Sequence, residues 1–458
     1  MIGRRAAVGG LVASALAAPL VVPGRSALAS LLKVRRRPSE TFTLKNGLQV
    51  VVLPSRRAPI VMQLLVYKVG SADETFGRTG IAHFLEHMMF KGTDTIAPHE
   101  FSRIVSRNGG RDNAFTSMDM TGYHQTIVAD RLELVMRMEA DRMANLRIVE
   151  KELLPERQVV LEERRMRVDN VPAELLNEAA SEQLFGRHKP YAMPTVGYVD
   201  DVKKLNVHDL AAFYAKWYMP NNAVLIVAGD TTADQVRKLA EKYYGPIAQR
   251  KVDPRRRPGE GATDLPQRVT RADARVAEPR WSRYYLAPSY HKGESQYAYA
   301  LQVLARLLGG GETSRFWKAL VVDRKLALSA WASYSPSSLG LTSFDLGVHP
   351  ASGTPMVEIE SAVGGILGRL LDDGVTAEEV ERAQNQLLAA AIYSQDSLQS
   401  GPRIYGTALG VGGTVADIDA WPQRIAAVTP AAVVAAARHV WRADGLVTSV
   451  LTPQEGMR

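Results

Sequence analysis

The sequence predicts an α+β protein built from two similarly organised halves, and three observations predict it. At 458 residues the chain exceeds what one hydrophobic core serves, which points to two domains of about 200 residues each. Short apolar runs separated by turn signals read as strands, and longer amphipathic stretches that read as helices follow them. The same plan then recurs, weakly, beyond a stretch at 249–267 that gathers Pro254, Pro258 and Pro266 among Arg, Gly and Asp and fits no regular element.

Taken in order, residues 1–29 read as a secretory signal peptide. Arg4-Arg5 opens it, Ala6 to Val22 is apolar and rich in small residues, and Ala27-Leu28-Ala29 supplies a cleavage site. The expectation is an exported, periplasmic protein; the paired arginines suggest the twin-arginine route, but the residues after them match it poorly. No later run is long and apolar enough to span a bilayer, so no membrane span is expected in the mature chain. The first domain is expected over 38–248. Phe42 to Leu44 and Leu48 to Leu53 flank Asn46-Gly47 as a hairpin, and Val61 to Val69 is a further strand. Helices follow near 81–90 and 98–106, then two short strands within 112–126, then helices at 130–146 and from Pro155 onward. Tyr218 to Asp230 reads as a turn followed by a buried strand, and the helix at 232–244 packs back on it. After the linker at 249–267, the second domain is expected over 268–458, with strand Arg283–Ala287, helices at 294–308, 314–322 and 378–394, and a closing strand ending at Pro453.

Composition excludes several classes. Hydrophobic content of 46% and charged content of 23% belong to an ordinary globular protein. The net charge of +8 draws partly on Arg250-Lys251 and Arg255-Arg256-Arg257. No aromatic residues interleave with these charges, so they read as solvated surface and linker, and no nucleic-acid partner is expected. Cysteine is absent, which removes thiol chemistry and disulfides.

The chemistry concentrates in Gly80-Ile81-Ala82-His83-Phe84-Leu85-Glu86-His87-Met88-Met89-Phe90. His83, Glu86 and His87 are spaced H-x-x-E-H, which on a helix gathers two imidazoles and a carboxylate on one face. Two neutral imidazoles suit Zn²⁺, and a carboxylate beside a zinc-bound water can serve as general base. This is the inverted zincin signature. A packed pair of core histidines is the alternative, but the surrounding run is apolar, and three unpaired ionisable groups would be costly there. A third ligand has to come from elsewhere. Downstream, Glu156 and Glu163 stand two helical turns apart on one face, while Glu162 points about 100° away. Taken without the first motif, that segment would read as a solvated charged helix.

These two segments resemble the pitrilysin–insulinase family of zinc peptidases, closest to its mitochondrial processing peptidase branch, here as an exported bacterial zinc subunit. In that family H-x-x-E-H is followed at this distance by a glutamate ligand, with a second glutamate seven residues before it; 75 residues separate His87 from Glu163 here. The resemblance spans nearly the whole mature chain. It implies one Zn²⁺ per chain on His83, His87 and Glu163, with Glu86 as base and Glu156 close by but off the metal. It implies two homologous metallohydrolase-type domains, each an antiparallel-rich sheet covered by helices, closing like a clam on peptides or short unfolded polypeptides. It also places the substrate against an edge strand, with Asn113, Ala114 and Phe115 as contacts; Asn113 capping a turn is the competing reading. The second half shows no ligand set.

One departure from the family bears on partners. Self-sufficient members carry an arginine and a tyrosine seven residues apart in the C-terminal domain, reaching the substrate carbonyl. In this chain Val321 and Leu328 hold those positions. The expectation is a homologous partner subunit that supplies the Arg/Tyr pair; Arg315, Arg324 or Tyr334 acting in cis is the alternative. A non-catalytic peptide-binding or assembly subunit of the same fold is the second functional reading.

Overall fold

The computed structural model describes residues 39–255, 257 and 267–454; the expected signal peptide and most of the expected linker lie outside these. Two sheets frame the protein. The first consists of β1 (Glu40–Thr43), β2 (Gln49–Pro54), β3 (Ile60–Tyr67), β4 (Arg111–Thr116), β5 (Thr121–Val128) and β6 (Ala223–Gly229), ordered β1-β2-β6-β3-β5-β4. β1 and β2 form the expected hairpin, pairing Glu40 with Val52 through Thr43 with Gln49. Asn46, in its turn, donates to the carbonyls of Tyr244 and Ile247 at 2.7 and 2.9 Å, tying the hairpin to the end of the domain.

Helices α1 (Ile81–Met88), α2 (Glu100–Arg107), α3 (Leu132–Asn145), α4 (Glu150–Arg164), α5 (Pro172–Phe185), α6 (Val199–Lys204), α7 (Val207–Trp217) and α8 (Ala233–Tyr243) complete the first half. The glutamate helix α4 begins at Glu150 rather than at Pro155, which stands inside it. Buried Leu153 anchors the first turn, and Glu150 and Glu152 there complement the positive end of the helix.

Among the described residues the second half repeats the plan without a counterpart of β1. β7 (Gln267–Asp273), β8 (Arg280–Ala287), β9 (Ala327–Tyr334), β10 (Thr342–Pro350) and β11 (Leu446–Pro453) are ordered β7-β11-β8-β10-β9, the counterpart of β2-β6-β3-β5-β4. Its helices are α9 (Ala298–Gly309), α10 (Met356–Asp373), α11 (Ala377–Ser394), α12 (Ser400–Gly410), α13 (Val415–Ala426) and α14 (Pro430–Val440). The helix expected at 314–322 is present, wound as a π-helix over Trp317–Asp323.

Side-chain alternation explains how the halves join. On β2, β3 and β6, Val50, Val52, Val61, Leu65, Leu225 and Val227 face the core beneath α1, α3 and α8. The intervening Val51, Leu53, Met62, Leu64, Val224 and Ile226 are equally buried, against Tyr405 and Leu409 of α12, which belongs to the other half. Both sheet faces are dry, which is why these strands read as continuous apolar runs. Gly406 makes the approach possible, since a Cβ there would come within 3.0 Å of Leu64 Cδ2 and 3.1 Å of Val66 Cγ2. The exchange is reciprocal: α5 of the first half sends Ala180, Leu184 and Phe185 onto the second sheet at Val447 and Tyr284.

A polar knot closes the same seam. Arg255 and Arg257, expected on solvated surface, are only 11% and 5% exposed at their side chains and pair with buried Asp73 and Asp119. Asp119 also accepts from Tyr191 Oη at 2.7 Å and from the backbone N–H of Leu339, across the seam, at 3.1 Å. Paired buried carboxylates, and not solvation, satisfy these two cations.

Candidate metal centre and active site

Helix α1 carries two stripes. Ile81, Phe84, Leu85 and Met88, spaced i, i+3, i+4, i+7, are buried in the core, which leaves His83, Glu86 and His87 on the opposite face. Gly80 precedes the helix and offers no capping side chain. Buried Glu74 does that work, accepting from the N–H groups of Gly80 and Ala82 at 2.8 and 2.9 Å. Burial pushes its carboxyl well above the usual range, against the lowering effect of those two bonds.

Helix α4 brings Glu163 to the histidines. Glu163 Oε2 lies 3.2 Å from His87 Nε2 and 3.7 Å from His83 Nε2. Among the described residues, His83, His87 and Glu163 are the one group of three whose donor atoms, all within 4.8 Å of one another, could hold a metal ion. Buried His83 Nδ1 has no protein partner. Glu162, one residue earlier, points outward and pairs with Arg165. Two imidazoles and one carboxylate, converging and partly buried, form a donor set that fits zinc.

The surroundings orient this set. His87 Nδ1 is 2.7 Å from Glu156 Oε1, which turns Nε2 toward the centre, and Lys91 Nζ holds the other Glu156 oxygen. Burial acts to lower His87, but its contacts with Glu156 and Glu163 outweigh that and raise it to about 9. Burial and the neighbouring His87 bring His83 down to about 4. The His87 contact, opposed by burial, takes Glu163 down to about 2. Glu86 is raised by burial, partly offset by a hydrogen bond of 2.5 Å from Thr116 Oγ1 to its Oε2.

Thr116 ends β4, the outer strand of the sheet, paired only with β5. Asn113, Ala114 and Phe115 of that strand line the same cleft as His83, Glu86, His87 and Glu163, a space of about 760 Å³. Asn113 sits within the strand and not at a turn, its Oδ1 accepting from the Ala114 N–H at 2.9 Å. The outer edge of β4 is therefore open along the cleft.

Sequence reasoning missed Glu74, Thr116 and Arg167. Arg167 Nη1 reaches the other Glu163 oxygen at 2.6 Å. Its i, i+4 spacing from Glu163 was a usable signal; nothing local signals the other two.

Comparison with known proteins decides the family. Residues 50–197 match the description "Insulinase (Peptidase family M16)" and residues 204–387 match "Peptidase M16 inactive domain". A Helicobacter pylori protein named zinc protease PqqE is 33% identical over 356 residues, covering 75% of this chain and 77% of that protein. The chain belongs to the insulinase (M16) peptidase family. An uncharacterized zinc protease, ML0855 of Mycobacterium leprae, is 30% identical over 82% of this chain and 85% of its own length. The crystal structure of a Helicobacter pylori protease superposes with a TM-score of 0.83 at 28% identity, covering 92% of this chain and all of that one. The two-domain α+β, clam-like fold of the M16 peptidases is thus present. The periplasmic protease PqqL of Escherichia coli shares the fold alone, at a TM-score of 0.77 and 19% identity, over 92% of this chain and 48% of that one. The inactive-domain match falls largely on the half without the metal-binding group.

Proposed function

We propose that the chain is a zinc-dependent endopeptidase of the periplasm that hydrolyses peptides or short unfolded polypeptides, and the catalytic subunit of a heterodimer. The observation that carries this reading is the convergence of His83, His87 and Glu163 beside Glu86 under an open strand edge. His83 Nε2, His87 Nε2 and Glu163 Oε2 would hold zinc, which when bound lowers the pKa of a water and polarises a carbonyl. A peptide adds to the β4 edge in extended form, its backbone paired with the strand at Asn113 to Phe115. Glu86, made more basic by burial, takes the water's proton on Oε1, the oxygen Thr116 leaves free, and passes it to the leaving amine.

The heterodimer rests on what the cleft lacks. Leu328 is exposed and Val321 packs against the second core, and neither side chain can donate to an oxyanion. The three cis substitutes are engaged elsewhere. Arg315 is paired twice with Glu379, at 2.7 and 2.8 Å. Tyr334 Oη donates to Pro288 O at 2.5 Å, and Arg324 faces Glu358 at 3.6 Å. Among the described residues, none of the three lines the zinc cleft. A homologous subunit carrying the Arg/Tyr pair completes the site.

The test uses the purified chain, alone and with an encoded homologue that lacks H-x-x-E-H. Zinc content near one per chain is expected, with peptide cleavage raised strongly by the partner. Glu86→Gln is expected to keep zinc and lose on the order of 10²-fold or more in turnover. Full activity without a partner removes the heterodimer, and turnover preserved in the glutamine variant removes the base. Zinc bound with no cleavage in either arrangement favours the peptide-binding reading.

A further inference from the structure

Arg164, Arg165 and Arg167 follow Glu163 closely in the chain and take three different places. Arg164 is buried, donating from Nη1 to Gly197 O at 2.8 Å and from Nη2 to Glu178 at 3.0 Å. Arg165 turns outward to Glu162. Past α4 the winding changes from α to π over Arg165–Asp169, where the Asn170 N–H reaches Arg165 O at 2.9 Å. Short π turns at helices recur at functional sites. From this one Arg167 enters the wall of the zinc cleft, with its side chain 74% exposed.

Apart from the two histidines, the cations that line this cleft among the described residues are Lys91 and Arg167. Lys91 is nearly covered and is held by Glu156. Arg167 is therefore the accessible one. Its carboxylate partner among the described residues is Glu163, at 2.6 Å from Nη1 to Oε1, and a guanidinium has further N–H donors to spend. Its positive charge is felt at His83, Glu86 and Glu163, so it acts at the zinc end of the cleft. Glu174 of α5 adds an exposed carboxylate to the same cleft, which is thus not cationic throughout. Glu163 cannot serve two cations fully. With its charge drawn to a bound zinc through Oε2, it holds Arg167 less firmly through Oε1.

We propose that Arg167 is a specificity-determining residue that takes a carboxylate of the bound peptide close to the scissile bond. A guanidinium and a carboxylate match in planar, two-pronged geometry, so the pairing selects for that group and not for negative charge alone. The carboxylate can come from an acidic side chain or from the end of the chain, and the two present the same chemistry. A peptide as its carrier rests on the proposed function; the accessible guanidinium and its competition with a metal for Glu163 do not.

The experiment uses the full chain carrying Glu86→Gln, loaded with zinc, and a short neutral peptide labelled at its N-terminus with an uncharged dye. The peptide is made in three forms: a central glutamate with an amidated end, glutamine in its place with an amidated end, and the glutamine form with a free carboxylate end. Fluorescence anisotropy should show a carboxylate form binding about tenfold tighter than the amidated glutamine form. Tighter binding of the glutamate form assigns a side chain, and of the free-ended form the terminus. Arg167→Gln should reduce the preference to about twofold or less, and Arg167→Lys should keep part of it, with zinc content and melting temperature unchanged in both. Stripping zinc with a chelator should also shrink the preference, as Glu163 reclaims Arg167. Equal affinity for the three forms, or no binding of any, overturns the proposal. So does a preference that survives Arg167→Gln or zinc removal undiminished. A chain that prefers the carboxylate through Arg167 yet, with Glu86 restored, cuts none of the three sinks the peptidase reading and keeps this one; cleavage without any such preference does the reverse.

Discussion

Glu162 and Glu163 are neighbours in sequence, yet one pairs with Arg165 in solvent and the other meets both histidines. Successive helical residues diverge by about 100°, so only one of two adjacent carboxylates can face α1. Glu163→Gln is expected to weaken zinc binding strongly and Glu162→Gln to leave it nearly unchanged, as read by competition with a chelating dye. Equal losses would place the ligand elsewhere. His87 adds a pH dependence. Raised to about 9 by Glu156 and Glu163 against the opposing effect of burial, it carries a proton at neutral pH when no metal is present. Zinc binds the neutral ring and must displace that proton, whereas Glu163, lowered to about 2, has already lost its own. Zinc affinity should therefore rise as pH goes from 6 to 9 and level off above it. Calorimetry in buffers of different ionisation enthalpy should show about one proton released per zinc at pH 7. No proton release would mean that His87 is already neutral there.

At the scale of elements, α1 is held at its start by Glu74, six residues before Gly80, with no capping residue of its own. Removing that carboxylate leaves two buried amide N–H groups without partners. Glu74→Ala is expected to cost about 2–3 kcal/mol in urea unfolding and to reduce zinc content, because the first turn of α1 carries His83. Unchanged stability with full zinc would show that water replaces the carboxylate. The strand β4 couples two tasks in one element. Asn113 to Phe115 present its open edge to the cleft, and Thr116, the next residue, holds Glu86.

For the whole molecule, the exchange of α5 and α12 makes each half complete the other's sheet, so neither sheet is dry on both faces alone. The Asp119 knot gathers the β4–β5 turn, Tyr191, the segment before β7, the hydroxyl of Ser338 and the backbone N–H of Leu339. Asp119→Ala leaves Arg257 buried without one of its carboxylate partners and is expected to destabilise by on the order of 3 kcal/mol. Differential scanning calorimetry is expected to show one transition for the parent and two for the variant as the halves uncouple. One transition at an unchanged temperature would mean that the apolar seam alone joins them.

Much of this was legible in the sequence, for an identifiable reason. The face shared by His83, Glu86 and His87, the divergence of Glu162 from Glu163, the hairpin at Asn46-Gly47 and the doubled strand plan all follow from local backbone periodicity, which acts over a few residues. The start of α4 before Pro155 escaped because Leu153 is drawn into a core that local propensity does not contain. The approach of Glu156 and Glu163 to the histidines, about 70 residues away or more, was legible only through the family resemblance, and other distant contacts were decided by the tertiary structure: Thr116 on Glu86, the reciprocal helices and the burial of Arg255 and Arg257. Composition marked those arginines as solvated because charge is normally hydrated. Asp73 and Asp119, more than 130 residues away in the chain, replace that hydration, and only packing brings them there.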